Sequence, residues 1–153
     1  MKIYRVELKK DSYPKALELW EKSVIATHNF LKKKDRIALK SEIPTYFKYV
    51  EAYLWFDGEI LIGLSGTNDE NLEMLFIDPK HFQKGYGTKI LQFLITENKI
   101  KYVDVNKANH NAIKFYKKNG FKEYKRSKKD KQGRNYPLIH LKLDSVTKSE
   151  NYN

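Results

Sequence analysis

HFQKGYGTKIL, residues 81–91, sets Gly85 and Gly87 on either side of Tyr86, directly ahead of a run with helical spacing. The chain has only seven glycines in 153 residues, so two of them at the mouth of one helix need a reason. Glycine lacks a Cβ, which lets the backbone turn tightly and lets a ligand approach it closely. The first amides of a helix have no partner inside it and sit at the positive end of its dipole. Such a place suits an anion, a pyrophosphate above all. Lys84 and Lys89 add positive charge nearby.

The chain on either side reads as alternating strands and helices. IYRVEL (3–8) alternates as a strand. SYPKALELWEKSVIATHNFLKK (12–33) reads as one long helix, with Ser12 as its cap and Pro14 in its first turn. KSEIPTYFKYV (40–50) reads as a short helical segment around Pro44. EAYLWFD (51–57) and EILIGLSGT (59–67) form a hairpin across Asp57-Gly58. NLEMLFIDP (71–79) is a third strand, stopped by Asp78-Pro79. A helix over 87–99, a strand over 100–106, a helix over 111–121 and strands over 123–126 and 136–144 follow. Three antiparallel strands thus precede a βαβ unit, which implies a mixed sheet with helices packed on it. Residues 1–145 are expected as a single domain and 146–153 as a frayed tail.

Three phosphate-binding patterns compete for the glycine pair. A Walker A loop needs G-x-x-x-x-G-K-[ST], and that spacing is absent. A dinucleotide fingerprint needs G-x-G-x-x-G, but Ile90 stands in the third place. Asp104 falls near that motif's ribose-binding position, yet seven residues (78–84) separate the strand from the glycines. LFIDPKHFQKGYGTKIL instead resembles the acetyl-coenzyme A motif of the GNAT acetyltransferases, a strand, a proline and then [RQ]-x-x-G-x-[GA] opening a helix. Phe82 stands in the Arg/Gln position and Gln83 comes one place late. A second stretch, VNKANHNAIKFYKKNGF (105–121), resembles the family's N-x-x-A-x-x-[FLY]-Y-x-x-x-G-F through Asn109, Ala112, Phe115, Tyr116, Gly120 and Phe121. The resemblance covers roughly residues 59–121. It implies an α/β fold with a mostly antiparallel sheet, a central βαβ unit and helices on both faces.

The same resemblance implies the chemistry, which is transfer of acetyl from acetyl-CoA directly to a primary amine. The amides of Phe82, Gln83, Lys84, Gly85, Tyr86, Gly87 and Thr88 would hold the pyrophosphate. The strand backbone near Phe76 and Ile77 would pair with the pantetheine arm and polarise the thioester carbonyl. A bulge would splay that strand from its neighbour and free those groups. Asn109 would touch the cosubstrate, and Tyr116 would give the departing sulfur its proton. Structural readings of the same residues are also open: Asn109 as a helix N-cap, and Tyr116 as a buried aromatic.

The base has two candidates. Glu73 lies on the motif strand, and alternation puts it on one face with Leu75 and Ile77. His28 shares a helical face with Trp20, Val24 and Leu31 if the helix runs through it. A solvated strand carboxylate and a core histidine are the plainer readings of the two.

Composition narrows the partners. The absence of cysteine removes thiol nucleophiles and cysteine-held zinc, and no histidine spacing suggests a metal. No run approaches the ~18 apolar residues of a membrane span, and the N-terminus lacks a secretory signal, so a cytoplasmic location is expected. The net charge of +11 favours anionic ligands without naming one. KEYKRSKKDKQGR (122–134) reads first as a solvated hairpin loop, then as a contact for the coenzyme's 3′-phosphate or for nucleic acid. No helix-turn-helix, RNP pattern or zinc finger accompanies it, which argues against nucleic acid. A GNAT-fold binding module without turnover and a basic nucleic-acid-binding protein are the two alternatives. The acceptor, a small-molecule amine or a peptide or protein amine, is not readable, and a homodimer stays open.

Overall fold

A computed structural model describes residues 1–144; the expected frayed tail lies outside the described residues. The elements run β1 (Ile3–Glu7), α1 (Tyr13–Thr27), α2 (Lys33–Tyr46), β2 (Glu51–Asp57), β3 (Ile60–Asn68), β4 (Asn71–Ile77), α3 (Tyr86–Glu97), β5 (Tyr102–Asn106), α4 (His110–Lys118), β6 (Phe121–Ser127) and β7 (Leu138–Leu143). Short 3-10 turns precede α1 and α3. This is the order that alternation and helical spacing predict. The strands form one seven-stranded sheet in the order β1-β2-β3-β4-β5-β7-β6, and only β4 and β5 are parallel. Among the described residues no helix is long and apolar enough to cross a membrane.

The helices cover both faces of the sheet. Ile90, Leu91 and Leu94 of α3 and Tyr116 of α4 pack with Trp55, Ile62 and Val103 on one face. Ala16, Leu19, Trp20 and Val24 of α1 join Ile43 of α2 against Leu54 and Leu64 on the other. Ile90, Leu91 and Leu94 are fully buried, and each contributes about 1.5–3 kcal/mol. A missing N-cap costs only about 1 kcal/mol, so α3 is held firmly enough by its inner face to leave its N-terminus uncapped.

Two features of the middle strands shape the site. β4 and β5 pair only at Asn71↔Tyr102 and Leu72↔Val103, after which no further pairing joins them. Opposite β3, Met74 faces Gly66 but Leu72 faces Thr67, so Glu73 is an extra residue in a bulge. The bulge reverses the alternation. Leu72, Leu75 and Ile77 all pack on the α3/α4 face, and Met74 and Phe76 pack on the α1/α2 face.

The long helix expected over 12–33 is two helices. α1 stops at Thr27, His28 follows as its C-cap, and α2 begins at Lys33, well ahead of the predicted segment around Pro44. Pro44 lies inside α2 near its end, where it removes a single helical hydrogen bond. His28 therefore lies just past the end of α1, and not on a continuous helical face with Leu31. Ser12 is the residue before α1 but makes no side-chain cap.

Candidate active site

The loop between β4 and α3 explains the glycine pair. Asp78 accepts a hydrogen bond from the Lys80 amide at 3.0 Å and nucleates a tight turn through Pro79. Gln83 and Gly85 then both take left-handed backbone conformations, with φ of 62° and 85°. Glycine adopts that conformation freely; Gln83 adopts it at a cost of the kind that gathers at ligand sites. Alternating such residues curls successive amides into a concave anion cradle. No side chain caps α3, so its opening amides point outward unclaimed.

Tyr86 turns the other way. Its hydroxyl donates to Asp57 Oδ2 at 2.6 Å, while Asp57 Oδ1 accepts from the Lys2 amide at 2.9 Å. The Tyr86 hydrogen bond holds the Asp57 carboxyl below its ordinary range, and the same bond raises the phenol of Tyr86. This clamp ties the start of α3 to the β2–β3 turn. Tyr86 thus contributes its backbone to the cradle and its side chain to the scaffold.

The cradle opens onto a cleft of about 460 Å³. Every residue from Phe82 to Thr88 except Lys84 lines it. So do Phe76 and Ile77 from β4, Asn109 and Tyr116 from α4, and His28 from the end of α1. The structure therefore gathers all the proposed cosubstrate residues but Lys84, whose side chain is exposed. Asn109 Oδ1 accepts from the Ala112 amide at 3.2 Å and caps α4. Tyr116 is 7% exposed and packs edge-on against Phe115 and Phe121. Burial raises its phenol well above the ordinary tyrosine range, so it stays protonated and able to donate at any working pH.

His28 is poised differently. The Thr27 hydroxyl has one proton and donates it to the Ser23 carbonyl at 2.8 Å. The 2.6 Å contact between Thr27 Oγ1 and His28 Nδ1 then takes its proton from the ring. That fixes the Nδ1–H tautomer and leaves Nε2 as the accepting nitrogen. Burial lowers the His28 pKa from its ordinary 6.5, so the ring is neutral at pH 7.

Glu73 is not in this cleft. The bulge sends it into a second cavity of about 380 Å³ between α2, β4, β5 and the β6–β7 loop. This corrects the expectation that it shares a face with Leu75 and Ile77. Asp104 lines the same second cavity and bonds His140 Nδ1 at 2.6 Å, far from any ribose-binding place beside the glycines. The two cavities meet along β4: Glu73 and Met74 line one, and Leu75, Phe76 and Ile77 line the next. Among the described residues no cluster of histidine and carboxylate groups is arranged to hold a metal.

Sequence reasoning missed three participants. His81 lines the first cleft with its Nδ1 buried and unpartnered, edge-on to Tyr86. Lys131 reaches Glu73 from the β6–β7 loop. Asp57 anchors Tyr86. Lys131 and Asp57 act through contacts between distant parts of the chain, which no local pattern marks.

Comparison with known proteins shows the family to which this fold belongs. The description "Acetyltransferase (GNAT) domain" matches residues 50–123. The peptidyl-lysine N-acetyltransferase YjaB of Salmonella typhimurium is 35% identical over 83% of this chain and 88% of its own. Its namesake in Escherichia coli is 32% identical over 80% of this chain and 84% of its own. The apo solution structure of YjaB from Escherichia coli superposes with a TM-score of 0.84 at 27% identity, covering 94% of this chain and 98% of that one. The chain belongs to the GNAT family of acetyltransferases, enzymes that carry acetyl from acetyl-CoA to an amine.

Proposed function

We propose that this enzyme acetylates the Nε amine of lysine side chains in proteins or peptides. The observation that carries the reading is the second cavity. In a chain of net charge +11, it presents Glu73 and Asp104 one residue beyond the last β4–β5 pair, beside the segment of β4 that lines the cosubstrate cleft. Paired carboxylates in a cavity recognise a cation, and a lysine ammonium is the cation that a protein acceptor offers. The relatives named as peptidyl-lysine acetyltransferases support the same acceptor. Asp130, also in the lining, is committed elsewhere; it accepts the amides of Gln132 and Arg134 at 3.0 and 2.8 Å and so shapes the loop.

Placement supports the following roles. The amides of Gln83 to Thr88 receive the pyrophosphate of acetyl-CoA, and the free edge of β4 at Phe76 and Ile77 receives the pantetheine and polarises the thioester carbonyl. Asn109 closes the far side of the cleft while capping α4. Glu73 draws in the acceptor ammonium, which then moves along β4 into the cosubstrate cleft. There His28 Nε2 takes its proton, directly or through water, and the free amine attacks the carbonyl carbon. The C–N bond forms, the C–S bond breaks as Tyr116 protonates the departing sulfur, and the second proton of the attacking nitrogen passes through water to restore the Tyr116 phenol. Of the two base candidates His28 is preferred, because it shares the cleft with Tyr116 and is neutral at pH 7.

Two results would test this. With an N-terminally blocked peptide holding one lysine, mass spectrometry should find acetyl on the lysine. A peptide with a free N-terminus and arginine for lysine should stay unmodified, and acetylation of that peptide alone would defeat the reading. Separately, kcat/KM should fall on the acid side with a midpoint below 6.5, because the base must be unprotonated. His28→Gln should lower the rate by about a hundredfold at pH 7 and abolish that limb. A limb that survives in the variant would assign the base elsewhere. Stability moves in the same direction. Between the ordinary 6.5 and the lower folded-state value the unfolded chain binds the extra proton, so the fold loses stability as pH drops through that window.

A further inference from the structure

The loop between β6 and β7 is a fastened strap rather than a solvated hairpin. Its Arg134 Nη2 donates to Glu42 Oε1 at 3.2 Å, and its Nε stands 3.9 Å from Asp35. The Gln132 amide group donates to the Tyr46 hydroxyl at 3.0 Å, and the Tyr136 hydroxyl donates to Asp35 at 2.6 Å. The loop's own basic and polar groups thus pin it across α2, on the rim of the acidic cavity.

Between these anchors Lys131 reaches inward. Its Nζ donates to both oxygens of Glu73, at 3.3 and 3.2 Å, and lies 3.7 Å from Asp104 Oδ2. The group seated there is a lysine ammonium, the same chemistry that the proposed acceptor would bring. We propose that Lys131 is an internal stand-in for the acceptor lysine, and that an incoming substrate must displace it. The inference rests on reading this cavity as the acceptor site. The strap keeps the carboxylates partnered and the cavity formed while no acceptor is present. The Lys131 side chain is 60% exposed, so its ion pair is weak enough to yield to a substrate that makes further contacts. Discrimination also follows: a free amine that cannot bring more contacts than Lys131 does gains little by displacing it.

The test is a set of steady-state measurements with the blocked lysine peptide, with acetyl-CoA affinity measured alongside. Lys131→Met should lower the peptide KM about threefold, the scale of an exposed ion pair, and leave the Kd for acetyl-CoA unchanged. Lys131→Arg, which keeps the cation, should retain a KM close to that of the parent. Glu73→Gln should raise the peptide KM. If Glu73→Gln raises KM but Lys131→Met leaves it unchanged or raises it, Lys131 is not a competitor, and the acceptor reading stands without it. If Glu73→Gln leaves KM unchanged, the acceptor cavity itself is misassigned, and the strap proposal falls with it.

Discussion

A Gly87→Glu variant should fold normally and fail to bind acetyl-CoA. A Cβ at this position would meet only the Phe115 ring, at an ordinary contact distance of 3.4 Å, so the substitution does not disrupt the start of α3. Its carboxylate would stand among the unclaimed amides, where the pyrophosphate belongs. Two like charges about 4 Å apart near a protein surface repel by about 4 kcal/mol, roughly a thousandfold in Kd. The same residue at position 85 would be a poorer test, because φ there is 85° and any side chain strains the backbone. Thermal melting should give near-parental stability, and equilibrium binding should give no saturable signal. Parental affinity in the folded variant would mean that the phosphates lie elsewhere.

Tyr116→Phe should leave acetyl-CoA binding within a few-fold and lower kcat by about 10²–10⁴, the usual contribution of a positioned general acid. The ring remains against Phe115 and Phe121, so packing is preserved. Among the described residues no hydrogen bond holds the hydroxyl, so its removal strands no partner. The effect should therefore fall on the chemical step. Because burial raises the phenol's pKa, the parent enzyme should show no alkaline loss from Tyr116 within the working range. An unchanged kcat with chemistry rate-limiting would remove Tyr116 from the proton path.

The glycine cradle was legible because its signal is local. Two glycines at fixed spacing ahead of a helix express a backbone requirement, and the structure shows the requirement at Gly85 as a positive φ. The element order was legible for the same reason, since alternation and helical spacing act over a few residues. What was not legible depends on contacts between distant positions. The Glu73 bulge inserts one residue ahead of the unbroken apolar run Met74–Ile77, which carries no polar alternation to reveal it, so the predicted face was wrong. The end of α1 is set where the Thr27 hydroxyl bonds both Ser23 and His28, and the apolar spacing runs on past it to Leu31. The basic loop read as solvated because its acidic partners, Asp35 and Glu42, lie on α2, some 90 residues earlier for the Arg134–Glu42 pair. Its charge run was legible; its docking was not.

The proposed entry of the cosubstrate at the uncapped start of α3 is tested most directly by titrating nitrogen-15-labelled protein with coenzyme A, following each backbone amide. The largest shifts are expected at Gly85, Tyr86, Gly87 and Thr88, with Asn109 following and the amides around Glu73 and Lys131 little changed. Shifts centred on the acidic cavity, with the α3 amides unmoved, would contradict it.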